Sequence, residues 1–310
     1  MGGKRYRRAN LSNEPVDEEF EVIEALRRRL PSPPPGELWI GDDAAVISGG
    51  WVLTTDAMVQ GVDWDPGLSS TADVGWKAVM VNASDLAAMG ARPQRVLVAL
   101  VAPTGFDVSG LYDGITEACA VLDAAVIGGD LSSPSPGSEA VVVSITALGR
   151  CPGHDAVTRA GAWPGNAVWA TGAFGRAAAG LRMLRSEGAE DALCVQAHRR
   201  PRARVSEGLA AAAAGATSMI DVSDGLAADA WHLARSSNVT IALDGVPVAN
   251  GATFDEAVAG GDDYELLCTA PPGVEIEGWV RLGQCRPGPP AVTVADQPLE
   301  PRGYRHWRTT

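Results

Sequence analysis

The stretch WKAVMVNASDLAAMGA, residues 76–91, is apolar on almost every side when wound as a helix, yet it carries a carboxylate at Asp85. A helix that is hydrophobic all round belongs in a core. A lone carboxylate there is costly unless it is paired or bound to a metal. Asn82 lies one turn earlier and shares the face of Asp85. Asp85 is therefore either an acid satisfied by backbone or by Lys77, two turns back, or a ligand of a divalent cation. Ser70 or Thr71 reads as the helix cap, and the helix is expected to run to Met89, with Gly90 beyond it.

Five further aspartate motifs favour the metal: Gly41-Asp42-Asp43, Thr54-Thr55-Asp56, Gly128-Gly129-Asp130, Asp221-Val222-Ser223-Asp224-Gly225 and Gly260-Gly261-Asp262-Asp263. They are expected at strand ends, where glycines let a backbone approach a phosphate closely. Singly, each reads as a turn. Asp224-Gly225 also reads as a cap for a helix from Leu226, and Thr54-Thr55 as β-branched strand residues. Jointly they form an oxygen-rich ligand set, and the cation such a set prefers is Mg²⁺. The four histidines (His154, His198, His232, His306) lie far apart and read as surface or core residues. With no G-x-S-x-G present, a hydrolase triad has no support. Mg²⁺ between carboxylates and a triphosphate turns repulsion into a bridge, and phosphoryl transfer asks mainly for positioning and charge neutralisation. A phosphate monoester acceptor is largely ionised at pH 7, so no protein base is required.

Composition narrows the function classes. The 310 residues exceed the usual span of one core, so two domains are expected. A net charge of −13 argues against nucleic acid. Lys4 and Lys77 are the only lysines, and Lys77 does not head a Walker-type phosphate loop. Cys119, Cys151, Cys194, Cys268 and Cys285 are scattered without a C-x-x-C, which suits a reducing cytoplasm. No apolar run of about 18 residues appears, so no membrane span is expected, and the basic N-terminus lacks the apolar core of a signal peptide.

The fold expected is α/β (α+β) in two domains. Residues 1–15 read as a disordered tail, 16–150 as a domain with a mixed sheet, and 151–310 as an α/β domain, the boundary falling in the Gly/Pro-rich stretch 151–165. An amphipathic helix is expected over Asp17–Leu30, ended by Pro31. Ala44–Ser48 and Trp51–Thr55 read as a hairpin turning on Gly49-Gly50. The second half alternates strands (Ala167–Thr171, Ser218–Val222, Thr240–Leu243, Glu265–Thr269) with helices near 175–186, 204–214 and 226–236.

In this order the motifs resemble thiamine-monophosphate kinase, of the superfamily that includes aminoimidazole-ribonucleotide synthetase. The strings that carry the likeness are IGDDAAVI (40–47), LTTDAMVQGVDW (53–64), DVGWKAVMVNASDLAAMGARP (73–93), IGGD (127–130), VTRAGAWPGN (157–166), IDVSDGLAAD (220–229) and GGDDYELL (260–267). The resemblance implies a homodimer joined through the sheets of its N-terminal domains, holding ATP and several Mg²⁺ between two α/β domains. It also implies direct transfer of the ATP γ-phosphoryl group to thiamine monophosphate. By motif position it assigns metal ligation to Asp43, Thr54 (hydroxyl or backbone), Thr55, Asp56, Asp85, Asp130, Asp221 and Asp224. Nucleotide contacts fall to Gly129, Asp130, Arg159 and Ser223, with Tyr112 a weaker candidate that also reads as a packing residue. Arg159 has its own logic, since a guanidinium grips phosphate bidentately.

Departures cluster at the acceptor end. Asp63 stands where the family has His, Asp262 where it has Glu, and Pro301 where it has an aromatic, unless Tyr304 or Trp307 replaces it. Asp63 and Asp262 are the expected acceptor contacts. Two alternatives are carried: the same ATP/Mg²⁺ machinery with another small acceptor, or a catalytically inactive dimeric scaffold. Selenophosphate synthetase is disfavoured because no cysteine precedes Cys119, and the hydrogenase-maturation relative because the sequence closes on HWRTT.

Overall fold

Residues 19–186 and 191–305 are described by a computed structural model, and the chain divides into a unit from Pro33 to Tyr304 and a second made of the segments flanking it. The flanking unit holds α1 (Glu19–Arg27), where Glu24 pairs with Arg27 and Arg28 on the next turn. This helix is shorter than the 17–30 expected; Arg28 and Arg29 are turn, and Asp17 and the tail 1–15 lie outside the described residues.

Within 33–304 the elements run β1 (Ala45–Ile47), β2 (Trp51–Val59), α2 (Thr71–Ala88), β3 (Arg92–Val101), α3 (Val108–Leu122), β4 (Ala125–Ser132) and β5 (Val142–Arg150). They build a sheet of order β1-β2-β5-β3-β4. Gly49 (φ 80°) and Gly50 (φ 72°) make the β1–β2 turn, a backbone state that glycine adopts without strain. Alternation along β3 and β5 buries Val96, Val98, Leu100, Val143, Ile145 and Ala147 against α2 and α3. The opposite face, with Val59, Leu97 and Ala99, is uncovered.

Ser70 caps α2 with its hydroxyl on the Asp73 N–H, and Asp73 returns the bond, the capping box that a Ser-x-x-Asp spacing allows. Two glycines let α2 and α3 touch backbone to backbone. A Cβ on Gly114 would lie 1.8 Å from the Ala72 carbonyl oxygen, and one on Gly75 would lie 2.0 Å from that of Leu111. Gly114→Ala is therefore expected to cost about 2–3 kcal/mol in a urea unfolding series, because the helices must separate to admit the methyl group.

The second half contributes β6 (Ala167–Ala170), α4 (Arg176–Arg185), α5 (Ala192–Arg199), α6 (Val205–Ala213), β7 (Ser218–Val222), α7 (Leu226–Ser237), β8 (Thr240–Leu243), α8 (Phe254–Ala259), β9 (Glu265–Ala270), β10 (Val280–Arg286), β11 (Ala291–Val294) and β12 (Gln297–Pro298). Its sheet has the order β12-β11-β8-β10-β6-β9-β7. The stretch 151–166 lies between the two sheets, yet both belong to the one unit 33–304, with Ala87 and Ala88 of α2 packed beside Met219 of β7 and Leu266 of β9. Among the described residues no helix is long and apolar enough to cross a membrane.

Two motifs sit differently from the expectation. Thr54-Thr55-Asp56 lies inside β2, and Gly128-Gly129-Asp130 inside β4, not at strand ends. Asp221 lies one residue before the end of β7, as expected of a strand-end motif, with Ser223 and Asp224 in the turn beyond.

Candidate metal and phosphate site

Helix α2 frames the site by reaching in two directions. Toward β2, Asn82 Oδ1 accepts the Asp56 backbone N–H at 3.1 Å, and Asp85 Oδ2 accepts the Thr54 hydroxyl at 2.6 Å. Toward the second sheet, the Ser84 hydroxyl donates to Asp221 Oδ2 at 2.6 Å, and Lys77 Nζ donates to Asp262 Oδ2 at 2.7 Å. The alternative in which Lys77 satisfies Asp85 is thereby excluded: Lys77 is spent on Asp262.

Asp43, Asp85 and Asp221, distant in sequence, each place a carboxylate oxygen within 4.8 Å of the others. That is about the span across one divalent cation, whose oxygen ligands sit at roughly 2.0–2.6 Å. Asp43 is 1 % exposed by side chain, and its Oδ2 is buried without a hydrogen-bond partner. Buried polar atoms are nearly always paired, so this orphan oxygen fits a ligand position. The donor set is all oxygen, as hard cations prefer.

The electrostatics agree. Burial, then the charges of Asp56, Asp221 and Asp43, push the Asp85 carboxyl well above the usual carboxylate range, with the Thr54 hydroxyl pulling the other way. Burial and Asp43 likewise raise Asp221 to about 8, against the bonds from Ser84 and the nearby Arg159. Acids this crowded hold protons unless a cation takes their place.

Arg159 closes one side. Its Nη2 and Nε donate to Asp43 Oδ1 at 2.5 and 3.2 Å. Its backbone N–H donates to both oxygens of Asp42 at 3.1 Å, so Asp42 orients the arginine loop. Burial and Asp43 raise Asp42 to about 7.

Asp56 adds to the shifts of both Asp85 and Asp221, which puts its charge beside the trio. Asp224 lies in the turn after β7, where its N–H donates to Asp229 at 3.1 Å, and the Ser223 carbonyl accepts the Asp262 N–H. Thr55 does not join them: it alternates to the uncovered face, donates to the Ile145 carbonyl and accepts from Thr146. Asp130 does not join them within this chain either. By register it pairs with Ala99, whose other neighbour is Ser144, on the uncovered face, three strands from β2, or about 14 Å at 4.8 Å per strand. Gly129 has a structural reason of its own, since a Cβ there would lie 1.8 Å from the Val98 carbonyl oxygen. Tyr112 packs against the core of the first sheet. The Asp63 carboxylate accepts the Val59 N–H at 2.7 Å, closing its own turn. Pro301 and Tyr304 are described, and Trp307 lies outside the described residues.

Sequence reading passed over Asp42, Ser84 and Asp229. Asp229 is buried and accepts the N–H groups of Asp224 and Gly225, which holds the Ser223–Gly225 turn in place. The signal for all three was adjacency: each lies inside a motif already singled out for another residue.

Residues 41–151 match the family model of the AIR synthase related protein N-terminal domain. The thiamine-monophosphate kinase of Mycobacterium tuberculosis is 37% identical over 311 residues, covering 94% of this chain and 91% of that protein. The chain belongs to the thiamine-monophosphate kinase family. The solved structure of AaThiL complexed with AMPPCP and TMP has a TM-score of 0.83 and 32% identity, covering 93% of this chain and 97% of that one. The thiamine monophosphate kinase of Aquifex aeolicus follows with a TM-score of 0.80 and 30% identity, covering 91% and 98%.

Proposed function

We propose that this chain transfers the γ-phosphoryl group of ATP to the phosphate of thiamine monophosphate, yielding thiamine diphosphate, at the pocket of Asp43, Asp85 and Asp221. The observation that carries the reading is the three-carboxylate convergence with its unpaired buried Asp43 oxygen. The family relation supports it, as does the AaThiL complex, in which AMPPCP and TMP are held together.

In this reading Asp43, Asp85 and Asp221 would hold Mg²⁺, with Asp56 and Asp224 as further candidate ligands. A bound divalent cation supplies neutralisation of the charge on the transferring oxygens. Ser84 and Thr54 fix the rotamers of Asp221 and Asp85, and Asp42 sets the approach of Arg159. Arg159 is placed to exchange its grip on Asp43 for a phosphate oxygen. No protein base is used, since the acceptor phosphate is already ionised.

The active form is a cytoplasmic homodimer. The uncovered face of the first sheet, with Leu97 38% and Val59 36% exposed, suits a second copy, and that face also carries Asp130. Leu97→Glu is expected to shift the sedimentation coefficient to that of a monomer; an unchanged value counts against pairing through this face.

The direct test is ADP release on mixing the protein with ATP, Mg²⁺ and thiamine monophosphate. Acceptor-dependent release supports the assignment. Nucleotide binding without turnover points to another acceptor, a reading favoured by Asp63, whose carboxylate is consumed by its own turn. Absence of nucleotide binding points to an inactive scaffold.

A further inference from the structure

Beside the acid pocket lies a second group of polar side chains that the phosphate chemistry leaves unused. Lys77 is 5% exposed, and its ammonium donates to Asp262 Oδ2. The Tyr264 hydroxyl donates to the other oxygen, Oδ1, at 2.9 Å. The Asp262 and Tyr264 N–H groups donate to the Ser223 and Val222 carbonyls, both at 2.8 Å, which ties this loop to the end of β7. Asp262 (φ 70°) and Tyr264 (φ 50°) are both left-handed, a state non-glycine residues adopt only when their surroundings impose it. The Asp262 side chain nevertheless keeps 34% of its surface exposed.

Charge clarifies what this arrangement does. Burial pushes the Asp262 carboxyl up, but Lys77 foremost, with His198 and the Tyr264 hydroxyl, offsets it and holds the group below its usual range. His198 Nδ1 lies 3.9 Å from Asp262, and burial followed by Lys77 lowers that imidazole to about 4, so Lys77 is the cation of the group at neutral pH. Burial and Asp262 raise the Tyr264 phenol, and Asp56 and Asp221 add to the shift, which places the group within electrostatic reach of the acid pocket.

A buried ion pair is weak as a device for stability, and two left-handed residues cost further free energy. Both make sense as preorganisation of an exposed acceptor. We propose that Lys77 is a positioning residue which, with Tyr264, fixes Asp262 as a pre-set hydrogen-bond acceptor for the phosphate-bearing acceptor substrate. Lys77 cancels the charge of Asp262, so the pair offers a lone pair without adding repulsion toward phosphate. This inference rests on the kinase reading above.

The test is steady-state kinetics of the full chain with ATP, Mg²⁺ and thiamine monophosphate. Lys77→Met is expected to raise KM for thiamine monophosphate about tenfold or more, the scale of losing one charge-assisted hydrogen bond, with KM for ATP within about twofold. Lys77→Arg should recover part of the loss. In an Asp262→Asn background, Lys77→Met should add less than about twofold, because both changes act through one carboxylate. Equal rises in both KM values, or full additivity in the double variant, overturn the proposal. If Lys77→Met does not fold, Tyr264→Phe decides: a rise of about threefold in the acceptor KM alone supports it, and unchanged constants overturn it. Absence of turnover by the unaltered protein overturns the kinase reading itself, and this inference with it.

Discussion

Asp85→Asn is expected to lower turnover by about 100-fold or more, the scale of removing one preorganised electrostatic partner. Asn keeps the shape and one acceptor oxygen for the Thr54 hydroxyl, so the pocket should retain its geometry. What it removes is the charge that completes the trio with Asp43 and Asp221. Because burial and three neighbouring carboxylates disfavour ionised Asp85, the variant should melt at the same temperature as the unaltered protein or higher without metal. It should also lose most of the rise in melting temperature that Mg²⁺ produces. Near-normal turnover argues against metal ligation, and a large drop in metal-free melting temperature would mark Asp85 as structural instead.

Metal-free protein is expected to lose stability as pH rises from about 5 to about 8, and Mg²⁺ should restore it most at the upper end. The sign follows from Asp221, raised from an ordinary 3.8 to about 8 by burial and Asp43, with Asp85 raised in the same direction. Between those two pH values Asp221, and Asp85 in the same direction, is more protonated in the folded chain than in the unfolded one, whereas His198 and His232, both lowered to about 4 by burial, run the opposite way below about 6.5. The stability that the two acids contribute therefore falls with rising pH, being fully present below about 4 and lost as pH passes about 8. Other carboxylates run the opposite way, Asp73 and Asp262 among them, so stability on the acid side reflects both sets. A cation requires ionised ligands, so its binding releases protons and strengthens with pH. Scanning melts from pH 5 to 8, with and without Mg²⁺, measures the effect; a Mg²⁺ increment that does not grow with pH contradicts it.

Helices and strands with a strong local pattern were legible in the sequence. The 71–88 helix follows from an apolar run behind a Ser-x-x-Asp capping box, and β7 and β8 match their expected bounds because both are short β-branched runs between turns. Elements with weak patterns were not legible. Val280–Arg286 has no clean alternation, and Ala192–Arg199 is only two turns long. Phe254–Ala259 carried a readable Thr253/Glu256 capping box that was passed over. For β2 the error was one of length. The strand continues through Asp56 to Val59 because β5 pairs with it along its whole run, a partnership no local window reveals.

The candidate site divides along the same line. Sequence alone marked Asp85 as an acid in need of a partner, because a carboxylate in an apolar segment cannot stay ionised and unpaired, while Asp43 and Asp221 stood out as members of Asp-bearing motifs. It could not tell which of the marked residues meet. Tertiary structure decided that, by laying α2 between β2 and β7 so that Asp85 and Asp221 converge, while strand alternation turned Thr55 and Asp130 to the other face of the sheet. It also gave Lys77 to Asp262 rather than to Asp85. Residue chemistry is local and can be read in order along the chain, whereas the sharing of charge between residues depends on distances that only folding sets.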